Sequence, residues 1–291
     1  MLKTILVAMT GFDSDRVALE TAFLAGRPFE AHLQCLHIRP GPGQLVSRIA
    51  ATDMPGAIND EVFEALRQED NTRTEAARRS YDEFRERRGV PIAETPPGPK
   101  GVTAAWEERL GDDIEETIAQ ARFHDLVVCA RAPNSSGLSL GAIGAVLIGC
   151  GRPVLLAPSH APENLAPTIA IAWKESAEAA RAVTASMPLL QKASRIFVLA
   201  AAEGNRNPNE MVESAERLRN QLRWHGLVVE ARGVVQGGRE APDAVMETAR
   251  DLGADMMVMG GYGHSRIREL VLGGFTRHVI REASLPILMF H

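Results

Sequence analysis

The sequence predicts an α/β protein built from two tandem, doubly wound, Rossmann-like parallel-sheet domains. Three observations carry this. Near-continuous apolar runs alternate with amphipathic stretches, the pattern of strands buried on both faces and helices that cover them. The alternation is written twice along 291 residues, which is room for two domains. A proline-rich, weakly apolar segment, Pro158 to Pro167, separates the two copies as a linker. The expected domains are residues 1–158 and 168–291.

The copies correspond element by element. Thr4 to Met9 and Thr168 to Trp173 are the opening strands. Small-residue helices follow, Ser14 to Arg27 and Ser176 to Leu190, then second strands, Leu33 to Ile38 and Arg195 to Ala201. In the second copy, a helix spans Asn209 to Trp224, a strand Val228 to Val234, and a helix Pro242 to Leu252, where proline suits a first helical turn. In the first copy the middle is longer. Asp60 to Arg88 reads as a charged helix with apolar Phe63, Leu66, Ala77, Tyr81 and Phe84, closed by the stiff loop Pro96-Pro97-Gly98-Pro99. Its end, Arg85 to Arg88, reads as a solvated face before a partner site, because mixed charge is normal there. Each copy closes with an Asp-led strand (Asp125 to Cys129, Asp255 to Met259), a loop, a helix and a proline-marked last strand. A repeat this long is a domain duplication, not a solenoid.

Composition excludes several classes. Hydrophobic residues make up 45% and charged residues 24%, the balance of a globular chain. A net charge of −5 gives no electrostatic case for nucleic acid or an anionic membrane. No apolar run approaches the roughly 20 residues that a membrane-spanning helix needs. The start lacks a signal-peptide cleavage pattern, and Cys35, Cys129 and Cys150 match no metal spacing. Buried free thiols in a reducing cytoplasm are expected.

The chemistry concentrates in Met259-Gly260-Gly261-Tyr262-Gly263-His264-Ser265-Arg266, continuing through Gly273-Gly274-Phe275-Thr276. A strand, a glycine loop and a helix in that order make an anion cradle. Glycine lets the backbone approach a phosphate, and unpaired N–H groups at the helix start face it. His264, Ser265 and Arg266 add donors, and arginine can grip phosphate with two N–H groups. The same glycines would equally serve a tight connection and close helix–sheet packing.

The spacing Gly-x2-Gly-x9-Gly, its flanking strand and the terminal strand resemble the nucleotide loop of the ATP-binding branch of the universal stress protein superfamily. The duplication resembles its tandem members. The resemblance implies an adenine-nucleotide-hydrolase-like fold, a pseudo-dimer paired through terminal strands, and ATP or AMP as ligand, with or without Mg2+. Carried over by position, the contacts are Ala172, Trp173 and Lys174 at the first strand's end, then Met259, Gly260, Gly263, Gly273, Gly274, Phe275 and Thr276. A stress or signalling role, an unidentified protein partner and room for a homodimer are implied as well.

Two positions depart from the family pattern. Gly274 stands where a hydroxyl residue is common, with Thr276 nearby as a replacement. Lys174 stands where an Asp usually ends the first strand. A carboxylate accepts from ribose or adenine, whereas an ammonium only donates. Lys174 therefore either reaches phosphate or marks lost binding. In the first copy the loop reads Ala130-Arg131-Ala132-Pro133-Asn134-Ser135-Ser136-Gly137, without the Gly-x2-Gly pair. That domain is expected not to bind and to act as a structural partner. No catalytic residue or dedicated turnover is expected. The alternatives are a nucleotide-independent interaction module and a slow ATP hydrolase.

Overall fold

The computed structural model describes residues 1–41, 43–44, 60–131, 138–201, 208–261 and 274–291. The first half contributes β1 (Thr4–Met9), α1 (Ser14–Gly26), β2 (His32–Arg39), α2 (Asp60–Arg88), β3 (Thr103–Leu110), α3 (Asp113–Ala121), β4 (Leu126–Ala130), α4 (Leu140–Gly149) and β5 (Val154–Ala157). The second contributes β6 (Thr168–Ala172), α5 (Ala177–Leu190), β7 (Arg195–Ala201), α6 (Pro208–Arg223), β8 (Val229–Val234), α7 (Ala241–Asp251), β9 (Met256–Gly260), α8 (Gly274–Glu282) and β10 (Ile287–Phe290).

All ten strands form one sheet in the order β3-β2-β1-β4-β5-β10-β9-β6-β7-β8. Within each half every pairing is parallel, because each crossover passes through a helix. The halves meet at an antiparallel pair, β5 with β10, where Leu155 faces Leu288. Pro153 and Pro286 precede these strands at equivalent positions. The order reads the same from either edge, so the two halves are related by a pseudo-twofold axis through this pair. Pairing through the terminal strands is thus observed.

Period-two alternation along the strands sorts their side chains into two cores. One face carries Ile5, Val7, Leu155, Ile171, Val198, Val258 and Leu288 beneath α1, α2, α5 and α6. The other carries Leu6, Val127, Leu156, Ala170, Phe197, Met257 and Met289 beneath α3, α4, α7 and α8. Both cores run unbroken across the β5–β10 seam. Asp125 and Asp255, which lead β4 and β9, accept from the backbone N–H groups of Thr4 and Thr168, at 3.0 and 2.8 Å. They clamp the start of each half's first strand to its inner neighbour.

The helix ends follow local rules. Ser139 and Ser176 cap α4 and α5 by accepting from Ala142 and Ala179 N–H, and Asp112 caps α3 through Ile114 and Glu115. The charged end of α2 is tied inward: Arg87 and Arg88 both pair with Glu20 of α1, at 2.6 and 2.7 Å. Cys35, Cys129 and Cys150 are buried free thiols. Burial pushes the Cys129 thiol up to about 12, as an inert packing residue requires. Among the described residues no helix is long and apolar enough to cross a membrane.

Candidate functional site

In a parallel sheet, ligands gather at the carboxyl ends of strands where the strand order reverses. In the second half that point lies between β6 and β9, whose ends are register partners at Ala172 and Met259. Because β9 and β10 are parallel, the helix between them, α8, runs back against them. Its N-terminus therefore sits at their carboxyl ends. It opens at Gly274, which is exposed and, among the described residues, has no atom within 4 Å of an added Cβ. A helix start presents backbone N–H groups without intrahelical partners and a partial positive charge.

The residues named from the sequence divide around this point. Ala172, Met259 and Phe275 share the face that holds α7 and α8. Trp173 lies on the opposite core, where its indole N–H donates to Ser214 Oγ at 3.0 Å. The Ser214 hydroxyl in turn donates to Glu175 at 2.8 Å, and Arg217 pairs with the same carboxylate. The Trp173 backbone N–H is also committed, to Leu199 C=O at 2.8 Å. Lys174 follows at the strand's end, half-buried.

Gly260 has a packing role of its own. A Cβ there would stand 2.5 Å from the backbone nitrogen of Ala179, so α5 crosses β9 at glycine-only distance. Gly261 likewise lies against Leu147 of α4, across the seam. Thr276 is 5% exposed. Thr276 thus lies on the packed side of α8. His278 is bound to Asp243 of α7 at 2.7 Å. Gly263, His264, Arg266 and Gly273 lie outside the described residues.

The first half uses the equivalent position differently. Its closing unit is shorter by three residues: 28 positions from Asp125 to Pro153 against 31 from Asp255 to Pro286. Arg131, at the place of Gly261, turns away from its own strand ends. It donates to the C=O groups of Ile280 and Arg281 at 2.9 Å, and to that of Ala283. These are carbonyls that α8 leaves unpaired at its C-terminus. Burial lowers the Arg131 pKa, yet the helix end favours a cation there.

Sequence reasoning did not foresee a cleft of about 680 Å3 at the carboxyl ends of β1–β3. Asp70, Asp112, Asp113 and Glu115 line it, against Arg73 and His37. His37 is 4% exposed, and both ring nitrogens are engaged, by Met9 C=O and Thr74 Oγ1. Burial holds its pKa below the usual value, so the imidazole is neutral at pH 7. Among the described residues the lining of the cleft is therefore net acidic, which disfavours an anion. Beside it, Asp15 of α1 closes the turn after β1. Its carboxylate accepts from Thr10 N–H, Thr10 O–H and Gly11 N–H, each at 2.8 Å. Gly11 has φ +82°, and a Cβ there would meet the Arg73 carbonyl at 2.4 Å. Among the described residues no cluster of three or more His, Cys, Asp or Glu side chains could hold a metal.

Residues 168–291 match the universal stress protein family. A universal stress protein from Archaeoglobus fulgidus superposes on the whole chain with a TM-score of 0.66 at 14% identity, covering 99% of this chain and 95% of that one. A universal stress protein of Synechocystis sp. is 44% identical over 50 residues, 17% of this chain. One from Methanocaldococcus jannaschii is 29% identical over 89 residues, 29% of this chain. The matched stretches span 17% and 53% of those two relatives' lengths. The fold is a duplicated, doubly wound α/β sheet. The second half is thus similar to universal stress protein domains, and the two halves together share the fold of the Archaeoglobus fulgidus universal stress protein.

Proposed function

We propose that the chain is an adenine-nucleotide-binding protein that takes ATP or AMP in residues 168–291 and serves signalling or stress adaptation in the cytoplasm. Residues 1–158 form the partner domain with a degenerate loop. The observation that carries this reading is the start of α8 at Gly274, at the carboxyl ends of β9 and β10, with β9 flanking the strand-order reversal against β6. The similarity of the second half to the universal stress protein family supports an adenine-nucleotide ligand. An ammonium at Lys174 suits a phosphate better than a ribose hydroxyl or adenine amine. The acidic first-half cleft and the diversion of Arg131 favour a single site. Glu175, the carboxylate nearest in sequence to Lys174, is held by Ser214 and Arg217, which favours binding without dedicated turnover.

Gly274 and Gly141 both lie in the first turn of the corresponding helices and are exposed, with no described atom closer than 3.8 Å to an added Cβ at Gly141. Aspartate at either place suits a helix N-terminus, so both variants keep the fold. Calorimetry with ATP and AMP is expected to show Gly274→Asp weakening binding by at least about tenfold, through repulsion of phosphate. Gly141→Asp should leave it unchanged. Absence of binding by the wild type at millimolar nucleotide sinks the reading and favours the nucleotide-independent module. Phosphate release above background would favour the hydrolase.

A further inference from the structure

The sheet ends differently at its two edges. At one edge, the segment Pro91–Ala93 covers part of β3: Ala93 N–H donates to Ala104 C=O at 3.1 Å, and Ala104 N–H to Pro91 C=O at 3.0 Å. At the other edge, no strand lies outside β8 among the described residues. Ile196 N–H donates to Val228 C=O, so Val228, Glu230 and Arg232 turn their backbone groups toward β7. By alternation, the N–H and C=O groups of Val229, Ala231 and Gly233 point outward. An edge left this way is a template for another strand.

We propose that β8 pairs with β8 of a second copy, antiparallel about Ala231, joining two molecules edge to edge. The register follows from charge. A twofold axis that pairs identical antiparallel strands stands normal to the sheet and keeps each side chain on its own face. Residues of like parity must therefore oppose each other. Three registers near the strand's centre satisfy this. One sets Glu230 against Glu230 and another sets Arg232 against Arg232, both repulsive. The third centres on Ala231 and sets each Glu230 against Arg232 of the second copy. Within one copy these two side chains already pair at 3.0 Å, so the third register closes a four-charge ring of alternating sign.

The backbone agrees with this register. Ala231 opposite Ala231 and Val229 opposite Gly233 become hydrogen-bonded pairs. Glu230 opposite Arg232 becomes a non-hydrogen-bonded pair, in which side chains approach most closely. Extended by one residue at each end, the ladder sets Val228, 72% exposed in the single chain, against Val234 of the second copy. Edge charges of one sign would block such pairing, whereas Glu and Arg two residues apart are self-complementary.

Sedimentation of the full chain over a range of concentrations tests this. The wild type is expected to form a dimer. Glu230→Arg and Arg232→Glu each turn two attractive contacts repulsive and are expected to weaken it by about tenfold or more. Mixing the two single variants restores complementarity and should give a heterodimer of wild-type strength. Ala231→Pro removes only an outward N–H and should leave a folded monomer. A wild type that stays monomeric at all concentrations overturns the proposal. So does a dimer that the charge reversals leave intact, since that dimer uses another surface.

Discussion

A single carboxylate shows how burial and hydrogen bonding compete at the residue scale. Asp15 is fully buried, and burial pushes its pKa up to about 6 despite three hydrogen bonds that favour the ion. Between the unfolded value near 4 and about 6 the native state therefore holds the extra proton. Stability from this group is fully present below that window and is lost as pH rises through it, by at most about 1.4 kcal/mol per pH unit. Asparagine does not titrate. The stability of wild type relative to Asp15→Asn should thus fall as pH climbs from about 4 to about 6. Urea titrations across that range check it, and a difference that grows with pH would contradict the assignment. At pH 7 Asp15→Asn should still cost about 1–3 kcal/mol, because its amide faces the Gly11 N–H, donor against donor.

At the element scale, the last turn of α8 depends on a residue about 150 positions away. The Arg131 fork supplies the donors that α8 lacks at its C-terminus. Arg131→Met should lower stability by about 1–3 kcal/mol. Arg131→Lys should recover only part, since one ammonium cannot span three carbonyls in a plane. Denaturant unfolding reads the loss, and amide exchange in α8 should quicken first. Sequence reasoning found Arg131 in a loop but could not find its partners, because the seam that brings them together is tertiary. It did locate α2 at Asp60 to Arg88, since its apolar spacing and charged surroundings are local. It left β3 and α3 unplaced. β3 is an edge strand, and its Trp106-Glu107-Glu108-Arg109 run lacks the apolar continuity of a central strand.

For the whole molecule, the seam decides cooperativity. Both cores continue across β5 and β10, so neither half has a separable interior. Leu288, 1% exposed and opposite Leu155, stands on the pseudo-twofold axis. Leu288→Ala should cost about 2–5 kcal/mol. The midpoints reported by Trp106 in the first half and Trp173 in the second, each as the sole tryptophan, should shift together. Two separated transitions would show that the halves unfold independently.

The sequence by itself determined the α/β class, the duplication and the strand–loop–helix unit at Met259 to Thr276. These follow from local periodicity and from glycine and proline chemistry, which need no distant contact. Tertiary structure alone decided which glycines are packed and which are open. Gly260 lies against the α5 backbone, while Gly274 meets no atom of the described residues. It also decided that Trp173 turns to the opposite core, that Arg131 serves the other half, and that β8 is left as an edge. Each of these depends on which surfaces the pseudo-twofold brings together, and no stretch of sequence encodes that proximity on its own.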